Sequence, residues 1–190
     1  LLRVVSTHAL GAHHLFSVAV PHLRTHDRAD IVAISSVATL SNNANGAPYN
    51  MGKAALEALA LTLAKEERDN GIRVNIVAPG LVETEMGRRL VKGAMGVSDI
   101  RTMDSSSAFG HVCTPEEVAD AVRFLVSERA SYVTGQRLVS SSQCMRQRET
   151  YIDFSMPTWS PVVSALPSAV RRTTMVALRP QWQMVRISRR

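Results

Sequence analysis

Tyr49 and Lys53 stand four residues apart in a run of Ala, Leu, Met, Lys and Glu, so in a helix both side chains share one face. A phenol titrates near pH 10, too high for easy proton exchange at neutrality. An ammonium a few ångströms away stabilises the phenolate, which makes the phenol a workable acid toward a carbonyl oxygen or base toward an alcohol. Ser36 lies thirteen residues before Tyr49, at the C-terminal end of a short apolar run. Its hydroxyl could hydrogen-bond the same substrate oxygen and hold it in line. Singly, these residues read as a strand-end hydroxyl and a solvated helix face; their order and spacing favour a site.

The elements that must position them alternate between strand-like and helix-like. Leu10, Phe16, Val18, Val20 and Leu23 predict a mostly buried helix closing near Pro21. Ile31-Val32-Ala33-Ile34 is a continuous β-branched run, as expected for a parallel-sheet strand covered on both faces. A loop is expected at Ser41–Gly46, then a strong helix from Pro48 to Asp69 with Gly71 as its C-cap. Ile72–Val77 predicts the next strand, ended by Pro79-Gly80. Thr114-Pro115-Glu116-Glu117 places a capping threonine, a first-turn proline and a capping-box glutamate ahead of Val118, Val122, Leu125 and Val126. Tyr132–Val139 reads as a last strand. Strand, helix, strand, helix, strand is the pattern of a parallel α/β sheet, whose ligands bind at the carboxyl ends of the strands.

With 45% hydrophobic and 20% charged residues in 190, the composition is that of a globular domain. No apolar run reaches the length of a membrane helix, and no secretion signal opens the chain. Cys113 and Cys144 cannot build a disulfide framework and read as free thiols in a reducing compartment. Residues 143–190 hold eight arginines against Glu149 and Asp153, which is the entire net charge of +6. Pro157, Pro161, Pro167 and Pro180 interrupt that stretch, so it is expected to be a poorly ordered tail. Its arginines with Trp159, Trp182 and Tyr151 could stack on nucleic acid, but without a folded scaffold a solvated extension is the preferred reading. His8, His13, His14, His22 and His26 crowd the start; no Asp, Glu or Cys completes a metal set, and they read as surface and interface residues. Cys113 precedes a helix cap that could stabilise a thiolate, and is preferred as a small apolar residue.

Several motifs in order carry a family resemblance: Ile34-Ser35-Ser36, then Tyr49-Asn50-Met51-Gly52-Lys53, Arg73–Gly80, Leu81–Met86 and Thr134–Leu138. The chain resembles the short-chain dehydrogenase/reductase family over roughly residues 1–139, closest in flavour to β-ketoacyl carrier-protein reductases. The resemblance implies an α/β fold, the C-terminal half of a Rossmann-type doubly wound parallel sheet. It implies hydride transfer between NAD or NADP and a carbonyl or secondary alcohol, in a cytoplasmic homo-oligomer with no membrane or nucleic-acid partner. Tyr49 would be the acid/base, Lys53 the group that supports it and holds the cofactor ribose, and Ser36 the substrate-orienting donor. The Pro79–Thr84 segment, with Pro79 and Gly80, would anchor the carboxamide through the Val82 backbone and the Thr84 hydroxyl. Leu81–Met103 would form a lid, with Gly93 and Gly96 letting it move.

Two departures qualify this. His8 stands where the family has an asparagine that binds a relay water; histidine also donates and accepts. The Gly-rich phosphate-binding turn and the residue that selects NAD or NADP would precede Leu1, so residues 1–142 read as a partial catalytic domain lacking its N-terminal half. The strands at Ile31 and Ile72 would then expose an unpaired edge and an apolar face. Ser140-Ser141-Ser142 replaces the usual Asp-Gly-Gly-like turn. A catalytically inactive fragment, at most an interaction partner of full-length relatives, is the alternative.

Overall fold

The computed structural model describes residues 2–142; the expectations for the arginine-rich tail lie outside the described residues. Eight consecutive residues of strand β2 (Ile72–Pro79) are all buried. This strand sits between β1 (Ala29–Ile34) and β3 (Arg137–Ser140), parallel to both. The register sets Ile31 against Val74 and Ile34 against Val77, while Val77 also faces Leu138. The Ile72 strand is therefore the middle one of the three described strands, so the unpaired edge expected at the Ile31 and Ile72 runs is absent at Ile72 and present at Ile31. Among the described residues only β1 and β3 are outer strands.

Alternation along β2 divides the core. Ile72, Val74 and Ile76 pack with Leu56, Ala60 and Ala64 of α4 (Ala47–Glu66) and Val20 of α2 (Gly11–Leu23). Arg73, Asn75 and Val77 point to the opposite face, where Arg73 donates to the carbonyls of Ala130 and Ser127, just past α6 (Pro115–Val126). Helices thus cover both faces of a parallel sheet, the Rossmann-type arrangement expected. Among the described residues no helix is long and apolar enough to cross a membrane.

Several boundaries differ from expectation. The first helical run begins earlier, with α1 (Leu2–Val5) and a widened turn at Ser6–Leu10, and it continues past Pro21 to Leu23. Pro21 is exposed and forfeits one hydrogen bond, while Val20 and Leu23 on either side pack on the core and keep the last turn closed. A short helix α3 (Ala38–Ser41) takes the first residue of the expected loop, and Asn42 and Asn45 then turn the chain with positive φ. Helix α4 stops at Glu66, three residues early; a single 3-10 turn follows to Asn70, and Gly71 ends it at φ 73°. The capping box at Thr114 and Glu117 forms as read.

The last strand is four residues long instead of eight. Tyr132 is fully exposed, and Gly135 turns at φ 67°, so Thr134–Gln136 cannot run as regular strand. Side chains bridge the gap: Val74 N–H donates to Thr134 Oγ1, and Asn75 donates to Val133 O and accepts from Gln136 N. Replacing Asn75 by Ala strips two backbone groups of their partners. It should cost about 1–3 kcal/mol in urea unfolding, while Thr134→Val, which removes one such bond, costs less.

Candidate active site

Helix α4 has proline in its first turn and no interior breaker, so Tyr49 and Lys53 stack one turn apart on it. Lys53 Nζ donates to the carbonyl of Ile34, the last residue of β1, at 2.8 Å. It also lies 5.8 Å from the centre of the Tyr49 ring. Burial lowers the Lys53 ammonium from the ordinary lysine value, while the Glu57 carboxylate one turn further on opposes that shift. The ammonium is thus pinned at the carboxyl end of the sheet beside the phenol.

His8 completes this group from the other side. Its ring meets the Tyr49 ring edge-on at 5.4 Å. It sits in the widened turn, closed by Gly11 N–H donating to Ser6 O, a five-residue step that bulges the helix toward α4. Gly52 admits the approach, since a Cβ there would lie 3.2 Å from His8 Cβ. Partial burial, and secondarily the Lys53 charge, lower the His8 pKa, which favours the neutral ring that both donates and accepts.

Ser36 is part-buried two residues beyond Ile34. Its hydroxyl accepts from Ala38 N, and its carbonyl accepts from Arg137 and from Thr39 N. Ser36 is therefore tied to the strand end that Lys53 grips. On the far side of β2, Gly80 N donates to Ser140 O, and Ser141 packs so closely that a Cβ on Gly80 would lie 2.6 Å from its hydroxyl. Pro79 accepts from Val37 N, which links this segment to the Ser36 loop. Val82 forms an isolated bridge with Cys113, and its carbonyl accepts from Thr84 N. The Thr84 hydroxyl accepts from Gly87 N, capping α5 (Glu85–Met95). Thr84 thus has a structural duty beside the role the resemblance implies, and its hydroxyl donates to Val82 O across 3.4 Å, a loose contact it can exchange.

The same residues fit a nicotinamide cofactor. An ammonium has three donors, and Lys53 commits one to Ile34 O, leaving two for a ribose diol. Gly93 lies within α5, and Gly96 caps it at φ 69°. Cys113 takes the structural reading: burial raises its thiol pKa, the reverse of a stabilised thiolate. Among the described residues no three His, Cys, Asp or Glu converge on a metal position. Sequence reasoning missed the neighbours Glu57, four residues after Lys53 on the same face, and Arg137, which pairs with it. The helical spacing was available as a signal for Glu57; nothing in the sequence joined Arg137 to it. Also missed was an open cleft of about 470 Å³ lined by Asn42, Asn45, Asn50 and Met51 at the start of α4.

Residues 1–142 match the family model described as Enoyl-(Acyl carrier protein) reductase. The chain is 35% identical over 133 residues to the 3-oxoacyl-(acyl-carrier-protein) reductase FabG of Thermotoga maritima, covering 70% of this chain and 52% of the relative. Among solved structures, ligand-free aldohexose dehydrogenase of Thermoplasma acidophilum aligns with a TM-score of 0.68 and 27% identity, over 74% of this chain and 57% of that one. NAD+-bound xylitol dehydrogenase aligns with a TM-score of 0.66 and 27% identity, over 74% and 58%. The chain spans about half the length of the curated relatives it matches. With a family model covering the whole described fold, and with Ser36, Tyr49 and Lys53 at one end of its sheet, the chain belongs to the short-chain dehydrogenase/reductase family.

Proposed function

We propose that this chain carries the acid/base side of an oxidoreductase that uses NAD or NADP on a small carbonyl compound or secondary alcohol. The observation that carries the reading is the Lys53 ammonium held between Ile34 O and the Tyr49 ring. When bound, the nicotinamide supplies or takes the hydride, which no side chain can carry. Tyr49 gives its hydroxyl proton to the carbonyl oxygen in reduction and takes it back in oxidation. Lys53 stabilises the phenolate left behind and offers its two remaining donors to the ribose. Ser36 releases Ala38 N and turns its hydroxyl to the substrate oxygen. Pro79, Gly80, Val82 and Thr84 border the carboxamide. Neutral His8, edge-on to Tyr49, passes the replacement proton in from solvent.

Leu15 and Val18 of α2 with Met51 and Leu61 of α4 leave apolar surface exposed, which supports a homo-oligomer built on these helices. A second reading is an interaction fragment without turnover. The outer side of β1, which pairs with no strand among the described residues, favours it. Thermal shift with millimolar NADH or NADPH separates the two readings: a raised midpoint supports the oxidoreductase, and none supports the fragment.

Under the first reading Tyr49→Phe should lower kcat by about a hundredfold or more without changing the fold, as read by steady-state reduction and circular dichroism; unchanged turnover would contradict it. The working form of Lys53 is the ammonium, present below its pKa, and burial lowers that pKa. Carbonyl reduction should therefore fall as pH rises, with an alkaline midpoint below the ordinary lysine value of about 10.4. His8→Asn should keep the rate within about threefold, whereas His8→Phe, which can neither donate nor accept, should lose on the order of tenfold.

A further inference from the structure

One carboxylate oxygen, Glu57 Oε1, gathers three donors from two other parts of the fold. Arg137 Nε of β3 lies at 3.0 Å, Thr39 Oγ1 at 2.9 Å, and the Ser35 hydroxyl also donates to it. The other arm of the fork, Arg137 Nη2, donates to Ser36 O at 3.0 Å and to Thr39 Oγ1 at 2.8 Å. The two side chains are only 17% and 15% exposed. Glu57 follows Tyr49 and Lys53 at the same helical spacing, so α4 presents phenol, ammonium and carboxylate in one row.

A part-buried ion pair is a poor device for stability alone, because desolvation consumes most of the attraction and an apolar pair of similar volume would serve. What distinguishes this one is its choice of partners. Its hydrogen bonds fall on Ser35, the Ser36 carbonyl and Thr39, the segment that presents the Ser36 hydroxyl. Resting on the oxidoreductase reading above, we propose that Glu57 and Arg137 are positioning residues: their pair, strung from α4 to β3, clamps the Ser35–Thr39 segment so that Ser36 is held against the Tyr49–Lys53 edge. Neither touches substrate. The carboxylate has a second effect, since it is the acidic group that faces Lys53. The charged and titratable groups around that ammonium are Tyr49 and Glu57 on α4 and His8 on the widened turn, and Glu57 in turn faces Arg137 from β3.

The chain has three lysines, Lys53, Lys65 and Lys92, so lysine labelled with 13C at Cε gives resolvable NMR titrations in the full chain. Glu57→Gln keeps shape and an acceptor but loses charge, and should lower the Lys53 midpoint. Arg137→Gln removes the opposing cation and should raise it. In each variant kcat should fall about tenfold with the KM for cofactor within twofold, and the double variant should be no worse than either single one. Arg137→Lys keeps the charge but loses the fork, so it should leave the Lys53 midpoint in place while kcat falls; it decides the matter if a neutral variant does not fold. Turnover unchanged in both neutral variants, or a loss carried by cofactor KM instead of kcat, overturns the clamp; a Lys53 midpoint that is unmoved in both, or that moves the same way in both, overturns its electrostatic effect. A wild-type chain without turnover would sink the oxidoreductase reading, while the opposed Lys53 shifts would still decide the clamp's electrostatics.

Discussion

The hydrogen bond from Lys53 Nζ to the carbonyl of Ile34 is the constraint on which the site depends. A lysine side chain ordinarily keeps its ammonium in water, and holding it against a strand end costs both rotamer freedom and hydration. The site meets that cost with an acceptor at the end of β1, a carboxylate one helical turn away and an aromatic ring alongside. Leaving this place would give up the hydrogen bond to the Ile34 carbonyl. The packing of Leu56, Ala60 and Ala64 against β2 sets where α4 lies on the sheet, and the Lys53 bond ties its first half to the end of β1.

The rest of the fold serves that registration. The buried centre strand β2 locks β1 and β3 in parallel register, which brings the Ser36 loop, the Pro79–Val82 segment and Ser140 to one edge. Gly52 lets the His8 turn close on α4, and the bulge at Ser6–Leu10 brings the imidazole to the Tyr49 ring. At the opposite ends of the same helices, Arg24 holds the buried Glu67 with two hydrogen bonds and draws its carboxyl below the usual range. That contact ties α2 to the end of α4 and keeps the helix pair from splaying.

Much of this was legible in the sequence because its signals were local. The β-branched runs at Ile31 and Ile72, the uninterrupted helix after Pro48 and the capping box at Thr114 depend on near neighbours, and they form where expected. What failed to read was set by contacts distant in the chain. Tyr132–Gln136 has strand-like residues, yet the bonds from Asn75 and Val74 and the left-handed Gly135 make it a bridge rather than a strand. The first helical run ends near Pro21 as expected, but Leu10 and Val18 are exposed, because only the Val20 side of it meets the described core. Ser36, Tyr49 and Lys53 were singled out by their order, their spacing and a family resemblance, whereas the Glu57–Arg137 pair joins residues eighty positions apart and left no such local mark.

The most direct test of the central claim follows one atom. NADH and NADPH carrying deuterium at the reactive ring carbon would be incubated with the chain and a simple ketone, and the alcohol examined by mass spectrometry and NMR. Deuterium on the product's carbinol carbon, lost when Lys53 is replaced by Met, is the predicted result. Alcohol without deuterium, or equal labelling with and without the Lys53 amine, would contradict it.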